Sequence, residues 1–212
     1  TDYTLDLGTI ICGNPITQQV QHQFYNLGDS KPMISKIEGG DAEIVLTYDA
    51  INTPEQVTIT MANTVLPGKY TAQWKSAATG APDATLNVNA KVELATPILA
   101  AIPANNAVGL QWNAITGATK YYITDKAPTF ILADDGKYGT LTINGTKIAE
   151  TTNAWYNHEN LDNGTAYTYY VTVVHERDGK VIDAKTSNLA TATPAYVVNE
   201  INWSNAEHTG LY

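Results

Sequence analysis

The chain has 212 residues and a formal net charge of −9 at neutral pH, and Arg177 is its one arginine. Arginine is the preferred residue for bidentate contact with phosphate, so this composition argues against nucleic acid and anionic membrane surfaces as partners. Hydrophobic residues make up 43% of the chain, which argues against intrinsic disorder, and no apolar run is long enough to predict insertion into a membrane.

The first 93 residues alternate repeatedly between apolar and polar side chains, the period-2 pattern of half-buried β-strands. Clusters rich in Gly, Pro, Asn and Asp separate the alternating segments and predict turns. The pattern therefore predicts an all-β domain of about seven short strands. The residues that share one face of a predicted strand are Val20, His22 and Phe24; Ile44, Leu46 and Tyr48; Val57, Ile59 and Met61; Tyr70, Ala72 and Trp74; and Leu86, Val88 and Ala90.

Cys12 is the one cysteine of the chain and lies in an apolar segment. A single cysteine excludes a disulfide within the chain, the device that stabilises many small secreted domains. No neighbouring base or positive charge in the sequence would lower the pKa of its thiol. We therefore predict that Cys12 is a buried, unreactive residue.

Three motifs of the first region stand in an order that is familiar from one family. These are Leu-Asp-Leu-Gly-Thr at 5–9, Phe-Tyr-Asn-Leu at 24–27 and Leu-Pro-Gly-Lys-Tyr at 66–70. Residues 4–92 resemble the ASPM-SPD2-Hydin type of immunoglobulin-like module, which is found in secreted bacterial proteins. The resemblance implies an immunoglobulin-like β-sandwich over residues 1–93, and a secreted or cell-surface protein of bacterial origin.

The segment 161–174 predicts a turn that leads directly into a strand. Asn163 and Gly164 favour a tight turn with positive φ, and Tyr167, Tyr169, Val171 and Val173 share one face of the following strand. A tyrosine at the start of such a strand is the tyrosine corner of immunoglobulin-like sandwiches.

Further motifs of the second half match one module along nearly its whole length. They are Pro97, Val-Gly-Leu-Gln-Trp at 108–112, Gly-Ala-Thr-Lys-Tyr-Tyr-Ile at 117–123, Tyr156, Leu-Asp-Asn-Gly-Thr-Ala-Tyr at 161–167, and Thr-Ala-Thr-Pro at 191–194. With these motifs, residues 96–194 resemble a fibronectin type III module. The resemblance implies a second β-sandwich over residues 94–195, so the predicted fold class is all-β, with two tandem immunoglobulin-like β-sandwiches.

Two segments depart from a plain module of this type. Residues 125–139 are longer than a hairpin connection needs, and Asp135 and Gly136 predict a small added hairpin with residues 130–132 on one arm. Residues 196–212 form a C-terminal extension whose apolar content predicts that it either packs back or begins a further segment. The short linker at residues 93–97 contains Pro97, which should limit hinge motion between the two sandwiches.

The sequence predicts neither a metal site nor a catalytic site, and no cofactor. None of the four histidines stands at metal-ligand spacing from another or beside the cysteine. We expect His22 to lie at the edge of the core, bonded to a backbone carbonyl, and the other three to lie on the surface. Asp134 and Asp135 fit a turn better than a calcium loop. No nucleophile elbow or helical pair of carboxylates is present, so we predict that these residues are not an enzyme.

Exposed aromatic residues are the candidate ligand-binding groups. If Tyr121 and Ile123 point inward, Tyr122 points outward, and the same parity places Tyr170 and Trp155 outward. Such rings provide flat surfaces that suit sugars or protein partners; an ordinary cross-strand pair, or cover by the segment 125–139, is the alternative. The candidate ligand-binding residues are Tyr122, Tyr170, Trp155 and Trp203.

Three functions follow as hypotheses. The first is a non-catalytic spacer of a secreted or cell-surface bacterial protein, which presents a platform for protein contact or adhesion. The second is a carbohydrate-binding protein that uses the exposed aromatic residues. The third is the accessory region of a larger secreted hydrolase. All three expect a protein or a glycan at the cell surface as the partner.

Overall fold

The computed structural model describes residues 1–25 and 30–196, and within these residues all regular secondary structure consists of β-strands. The strands of the first half are β1 (Asp2–Ile11), β2 (Ile16–Gln21), β3 (Met33–Lys36), β4 (Val45–Tyr48), β5 (Gln56–Met61), β6 (Gly68–Ala77) and β7 (Ala84–Glu93). The strands of the second half are β8 (Ala100–Ala104), β9 (Ala107–Gln111), β10 (Lys120–Thr124), β11 (Thr129–Leu132), β12 (Gly139–Thr142), β13 (Lys147–Thr151), β14 (Trp155–Glu159), β15 (Tyr167–Arg177), β16 (Lys180–Thr186) and β17 (Ala190–Ala192).

The first sandwich consists of a four-stranded sheet in the order β1-β7-β6-β3 and a three-stranded sheet in the order β2-β5-β4. Its core lies between the two sheets, because inward residues of β5, such as Ile59, pack with inward residues of β6 and β7, such as Trp74 and Val88. The alternation predicted for residues 57–61 is confirmed, since Val57, Ile59 and Met61 are all buried. Strand β1 pairs in parallel with β7, with a shift in register near Gly8.

At the edge of this core, His22 makes the predicted bond, but strand β2 is shorter than the sequence predicts. Strand β2 ends at Gln21, so the predicted alternation does not continue in a strand to Phe24. The His22 ring lies within hydrogen-bonding distance of the Pro54 carbonyl at 3.1 Å and of the Ser76 hydroxyl at 2.8 Å. The predicted bond from His22 to a backbone carbonyl is confirmed. Cys12 is buried, as predicted, and burial raises the pKa of its thiol.

The second sandwich pairs a three-stranded sheet in the order β14-β9-β8 with a larger sheet in the order β11-β12-β16-β15-β10-β13, to which β17 is added alongside β15. Its core contains Trp112, Tyr121 and Tyr169. The tyrosine corner is confirmed, because the backbone N–H of Asp162 donates to the Tyr167 hydroxyl at 3.1 Å. Gly164 has the predicted positive φ of 86°. The chain is therefore all-β, with two tandem immunoglobulin-like sandwiches.

The hairpin predicted in the long segment after β10 is present. Strands β11 and β12 pair antiparallel and meet in a turn at Gly136, which has a φ of 65°. The hairpin joins β16 through the pair Gly139 and Val181, so it widens the larger sheet at its edge. A Lys180 ammonium 4.2 Å from the Tyr138 ring centroid adds a cation–π contact between the hairpin and β16.

The two sandwiches meet at residues 92–94. The chain passes from the first core to the second within three residues, since the Val92 side chain packs in the first core and the Leu94 side chain in the second. A carboxylate oxygen of Asp183 accepts a 2.7 Å hydrogen bond from the Leu94 N–H, and Lys185 donates to Glu93 at 2.7 Å. The division into domains at residues 93 and 94 stays a prediction.

Candidate functional site

Tyr122 and Tyr170 lie on the neighbouring strands β10 and β15, on the outward side of the larger sheet. Tyr122 stands opposite Thr172, and Tyr170 stands opposite Thr124, so the two tyrosines are diagonal neighbours offset by one outward position. Both side chains are half-buried. The added hairpin attaches at the β16 edge, and on the outward side of this sheet Thr124, Thr172 and Val174 are fully buried.

Charged side chains surround the Tyr122 ring. The ammonium groups of Lys120 and Lys147 lie 5.2 and 5.3 Å from its centroid, within cation–π range. Lys120 also forms ion pairs with Glu176 at 3.0 Å and Glu150 at 3.4 Å. A hydrogen bond with Tyr122 and the nearby Glu176 carboxylate raise the pKa of Lys120, against the effect of burial. With cations close to the ring, Tyr122 is a poor stacking surface for a neutral ligand.

Trp155 lies on the opposite sheet of the same sandwich. It starts β14 and stands opposite Gln111 of β9, with 59% of its surface exposed. The structure therefore brings Tyr122 and Tyr170 onto one sheet and places Trp155 on the other. Trp203 lies outside the residues that the structure describes.

A cleft of about 280 Å³ opens between the two sandwiches. Its polar lining includes Lys69, Lys91, Glu93, Asp183 and Lys185, and its apolar lining comes in part from the added hairpin. Sequence reasoning did not find this cleft, because its walls come from segments that are distant in the chain. Lys185 and its partner Glu93, for example, are 92 positions apart.

The two carboxylates of this cleft already have partners. Burial acts to raise the pKa of Glu93, but hydrogen bonds from Lys185 and Lys91 outweigh it, and the pKa lies below the ordinary value. Burial raises the pKa of Asp183, although the Leu94 and Ala184 N–H groups both donate to its carboxylate. The bond between Lys185 and Glu93 joins the two sandwiches, and neither carboxylate is placed as a free acid or base.

Two histidines are less exposed than the sequence predicted. His175 has 4% of its surface exposed and contacts the Gly117 carbonyl at 2.7 Å, and His158 is half-buried, with one ring nitrogen 3.1 Å from the Tyr169 hydroxyl. The surface prediction for both was wrong, because each lies on the inward side of its strand. Burial lowers the pKa of His158 and raises that of Tyr169 to about 12.

Residues 1–25 and 30–196 contain neither a cluster of metal ligands nor a membrane-spanning helix. In these ranges no group of three His, Cys, Asp or Glu side chains is arranged to hold a metal ion. The same ranges contain no helix with the length and apolar character needed to cross a membrane.

Comparisons with known proteins find no matching family model and no matching curated protein. Three similar solved structures are a multidomain segment of titin, the protein FN3tt, and the two Ig domains of DIP-gamma. The titin segment is 13% identical over 87% of this chain, with a TM-score of 0.32, and this chain covers 60% of it. FN3tt is 23% identical over 48% of this chain and 91% of its own, with a TM-score of 0.29. DIP-gamma is 10% identical over 90% and 93%, with a TM-score of 0.29. The fold assignment rests on the strand pairing and cores described above.

Proposed function

We propose that this chain is a non-catalytic spacer that holds two immunoglobulin-like sandwiches in a fixed relation and presents them for protein contact or adhesion. The observation that supports this proposal is the set of contacts between the sandwiches. It includes an ion pair at 2.7 Å between Lys185 of the second sandwich and Glu93 at the end of β7. Next to this pair, the buried Asp183 carboxylate bonds the N–H of Leu94, the residue that follows Glu93.

Close packing at the junction supports the same proposal. A Cβ added to Gly117 of the second sandwich would lie 2.8 Å from the Cys12 sulfur and 3.2 Å from Pro67 of the first. Such proximity leaves little room for the sandwiches to rotate against each other. Buried ionic and hydrogen-bonded groups also favour one geometry, because breaking them leaves uncompensated polar groups.

Relaxation of ¹⁵N nuclei in solution tests the spacer directly. A fixed pair of sandwiches should tumble as one body, with one rotational correlation time for β1–β7 and β8–β17. A variant with ten Gly-Ser residues inserted between Glu93 and Leu94 is the control, because Val92 stays with the first core and Leu94 with the second while the two sandwiches are separated. If the unmodified chain already showed two independent correlation times, the spacer proposal would fail.

The type of the first sandwich and the location of the protein are separate proposals. We infer from the sequence resemblance, and not from the fold, that the first sandwich is of the ASPM-SPD2-Hydin type and that the protein is secreted or displayed on a bacterial surface. Antibody labelling of intact source cells would test the location: labelling that required permeabilised cells would contradict it. The role as accessory region of a larger hydrolase also stays a prediction.

A second candidate function is glycan binding, and the exposure of Trp155 favours it. A glycan array probed with the protein and with Tyr122→Ala, Tyr170→Ala and Trp155→Ala tests the predicted residues one by one. Loss of binding in a folded variant would assign that residue to the binding surface.

A further inference from the structure

The outward face of the sheet β14-β9-β8 is a small and nearly uncharged surface. Its residues stand in three cross-strand rows, fixed by the strand register. The rows are Trp155, Gln111 and Ala100; Asn157, Gly109 and Ile102; and Glu159, Ala107 and Ala104. With strands about 4.8 Å apart and outward residues about 6.7 Å apart along a strand, this face measures about 10 by 13 Å.

Trp155 provides a broad aromatic surface at one corner of this face. Its exposed fraction is 59%, and it starts the edge strand β14. An indole ring offers a flat apolar face and an N–H donor. Unlike Tyr122, Trp155 has no cation over its ring among the contacts of the described residues.

Amide side chains lie next to this ring. Gln111 stands directly opposite Trp155, and Asn157 is the next outward residue along β14; both are exposed. The Asn157 side-chain nitrogen donates to Glu159 at 2.8 Å, which fixes its orientation and leaves its oxygen free to accept. Amides both donate and accept hydrogen bonds, so they suit a ligand rich in hydroxyl groups.

Gly109 occupies the centre of the face and leaves a shallow depression between Ile102 and Asn157. A Cβ added there would meet only the Ile102 carbonyl oxygen, at 3.8 Å. Glycine weakens a strand, and where it occurs inside one it often marks a close approach by a ligand or another backbone. The fold does not need glycine at this position, because ordinary space for a side chain is present.

We propose that this face binds a neutral glycan chain. Trp155 stacks against the apolar face of one sugar ring, Gln111 and Asn157 bond to hydroxyl groups, and the depression at Gly109 receives the next ring. This proposal rests on the second candidate function, glycan binding, for which it names the site and the ligand class, and it does not depend on the spacer function. The site also differs from the surface around Tyr122, which lies on the other sheet of the sandwich.

Size and charge favour a glycan over another protein. A stable protein interface needs about 800 Å² from each partner, several times the area of this face. A second copy would also bring together two chains that each have a net charge of −9, which repel each other. The one ionisable residue among the nine is Glu159, so an acidic glycan would meet repulsion and a neutral one would not.

A glycan array with neutral and acidic saccharides shows which of them the protein binds. NMR titration with a neutral hexasaccharide that binds on the array then locates the site. We expect the indole N–H signal of Trp155 to shift. Trp155→Ala should weaken binding at least about tenfold, the factor that corresponds to 1.4 kcal/mol. Gly109→Val should also weaken binding by filling the depression, while the β-branched side chain keeps or raises the stability of the strand.

Tyr3→Ala is the matched control, because Tyr3 is 56% exposed and lies in the other sandwich. It should bind like the unmodified protein. A silent array from the folded protein would overturn the proposal, as would binding of acidic saccharides alone or unchanged binding in both Trp155→Ala and Gly109→Val. Self-association that Trp155→Ala abolishes would assign the face to a second copy instead. None of these results would alter the ¹⁵N relaxation result that tests the spacer.

Discussion

The Asp183 carboxylate accepts a 2.7 Å hydrogen bond from the backbone N–H of Leu94, and this bond ties the start of the second sandwich, directly after β7, to its larger sheet. Burial raises the pKa of Asp183 above its ordinary value of 3.8. The folded protein therefore binds more protons than the unfolded chain between pH 3.8 and the raised pKa. The contribution of Asp183 to the free energy of unfolding is present below this interval and is lost as the pH rises through it.

Asp183→Asn should remove this pH dependence. Urea unfolding of both proteins at several pH values from about 3 to 7 gives the two profiles, and their difference isolates Asp183 from the other carboxylates. The free energy of the unmodified protein should fall relative to that of Asp183→Asn as the pH rises. Two parallel profiles would contradict the buried environment of this carboxylate.

The tyrosine corner should contribute measurably to stability. Tyr167→Phe removes the hydroxyl that accepts from the Asp162 N–H and keeps the ring. We expect the free energy of unfolding to fall by about 1 kcal/mol, the usual net value of such a bond. Tyr170→Phe is the control, since Tyr170 is half-buried on the outward side of the same strand, and its unfolding should change little. Equal losses in both variants would argue against a special role for Tyr167.

The packing at the junction predicts that replacing Gly117 by alanine lowers the free energy of unfolding more than replacing Gly164 does. Gly117 and Gly164 have nearly equal positive φ values of 85° and 86°, so alanine should cost about 1 kcal/mol of backbone strain at each. A Cβ at Gly164 meets nothing within 4 Å, whereas at Gly117 it lies 2.8 Å from the Cys12 sulfur. Gly117→Ala should therefore be the more destabilising by at least about 1 kcal/mol in chemical unfolding. Equal losses of unfolding free energy in the two variants would show that the junction rearranges readily to accept the added methyl group.

The contact between Lys180 and the Tyr138 ring should hold the added hairpin on its sheet. Tyr138→Ala should speed hydrogen exchange at Ala133, whose N–H donates to the Tyr138 carbonyl at 2.8 Å. The expected acceleration is about two- to fivefold, from a contact worth about 0.5–1 kcal/mol at an exposed site. Tyr138→Phe keeps an aromatic face and should exchange like the unmodified protein. Slow exchange in both variants would mean that the strand pairing alone holds the hairpin.

Local patterns predicted the strands and turns well, because each depends on residues close in the chain. The alternation at residues 57–61 and the Asn-Gly turn before Tyr167 both reappear in the structure. The added hairpin was also predictable, since an Asp-Gly pair in a long connection favours a turn with positive φ. These features need no knowledge of how distant segments meet.

Features that depend on distant neighbours were not predictable. Parity places Tyr122 outward, but it does not show that Lys147 from another strand lies near the same ring. Likewise, nothing close to Asp183 in the chain shows that it meets Leu94, 89 residues away. Trp155 was expected to face outward, and it does, but its row with Gln111 depends on the pairing of β14 with β9.

The parallel pairing of β1 with β7 has a mechanical consequence. The chain enters the first sandwich at the start of β1 and leaves it at the end of β7. A force that pulls these two ends apart would act along both strands in opposite directions. It would load their backbone hydrogen bonds together in shear, so that the ladder must yield as a unit and cannot open one bond at a time.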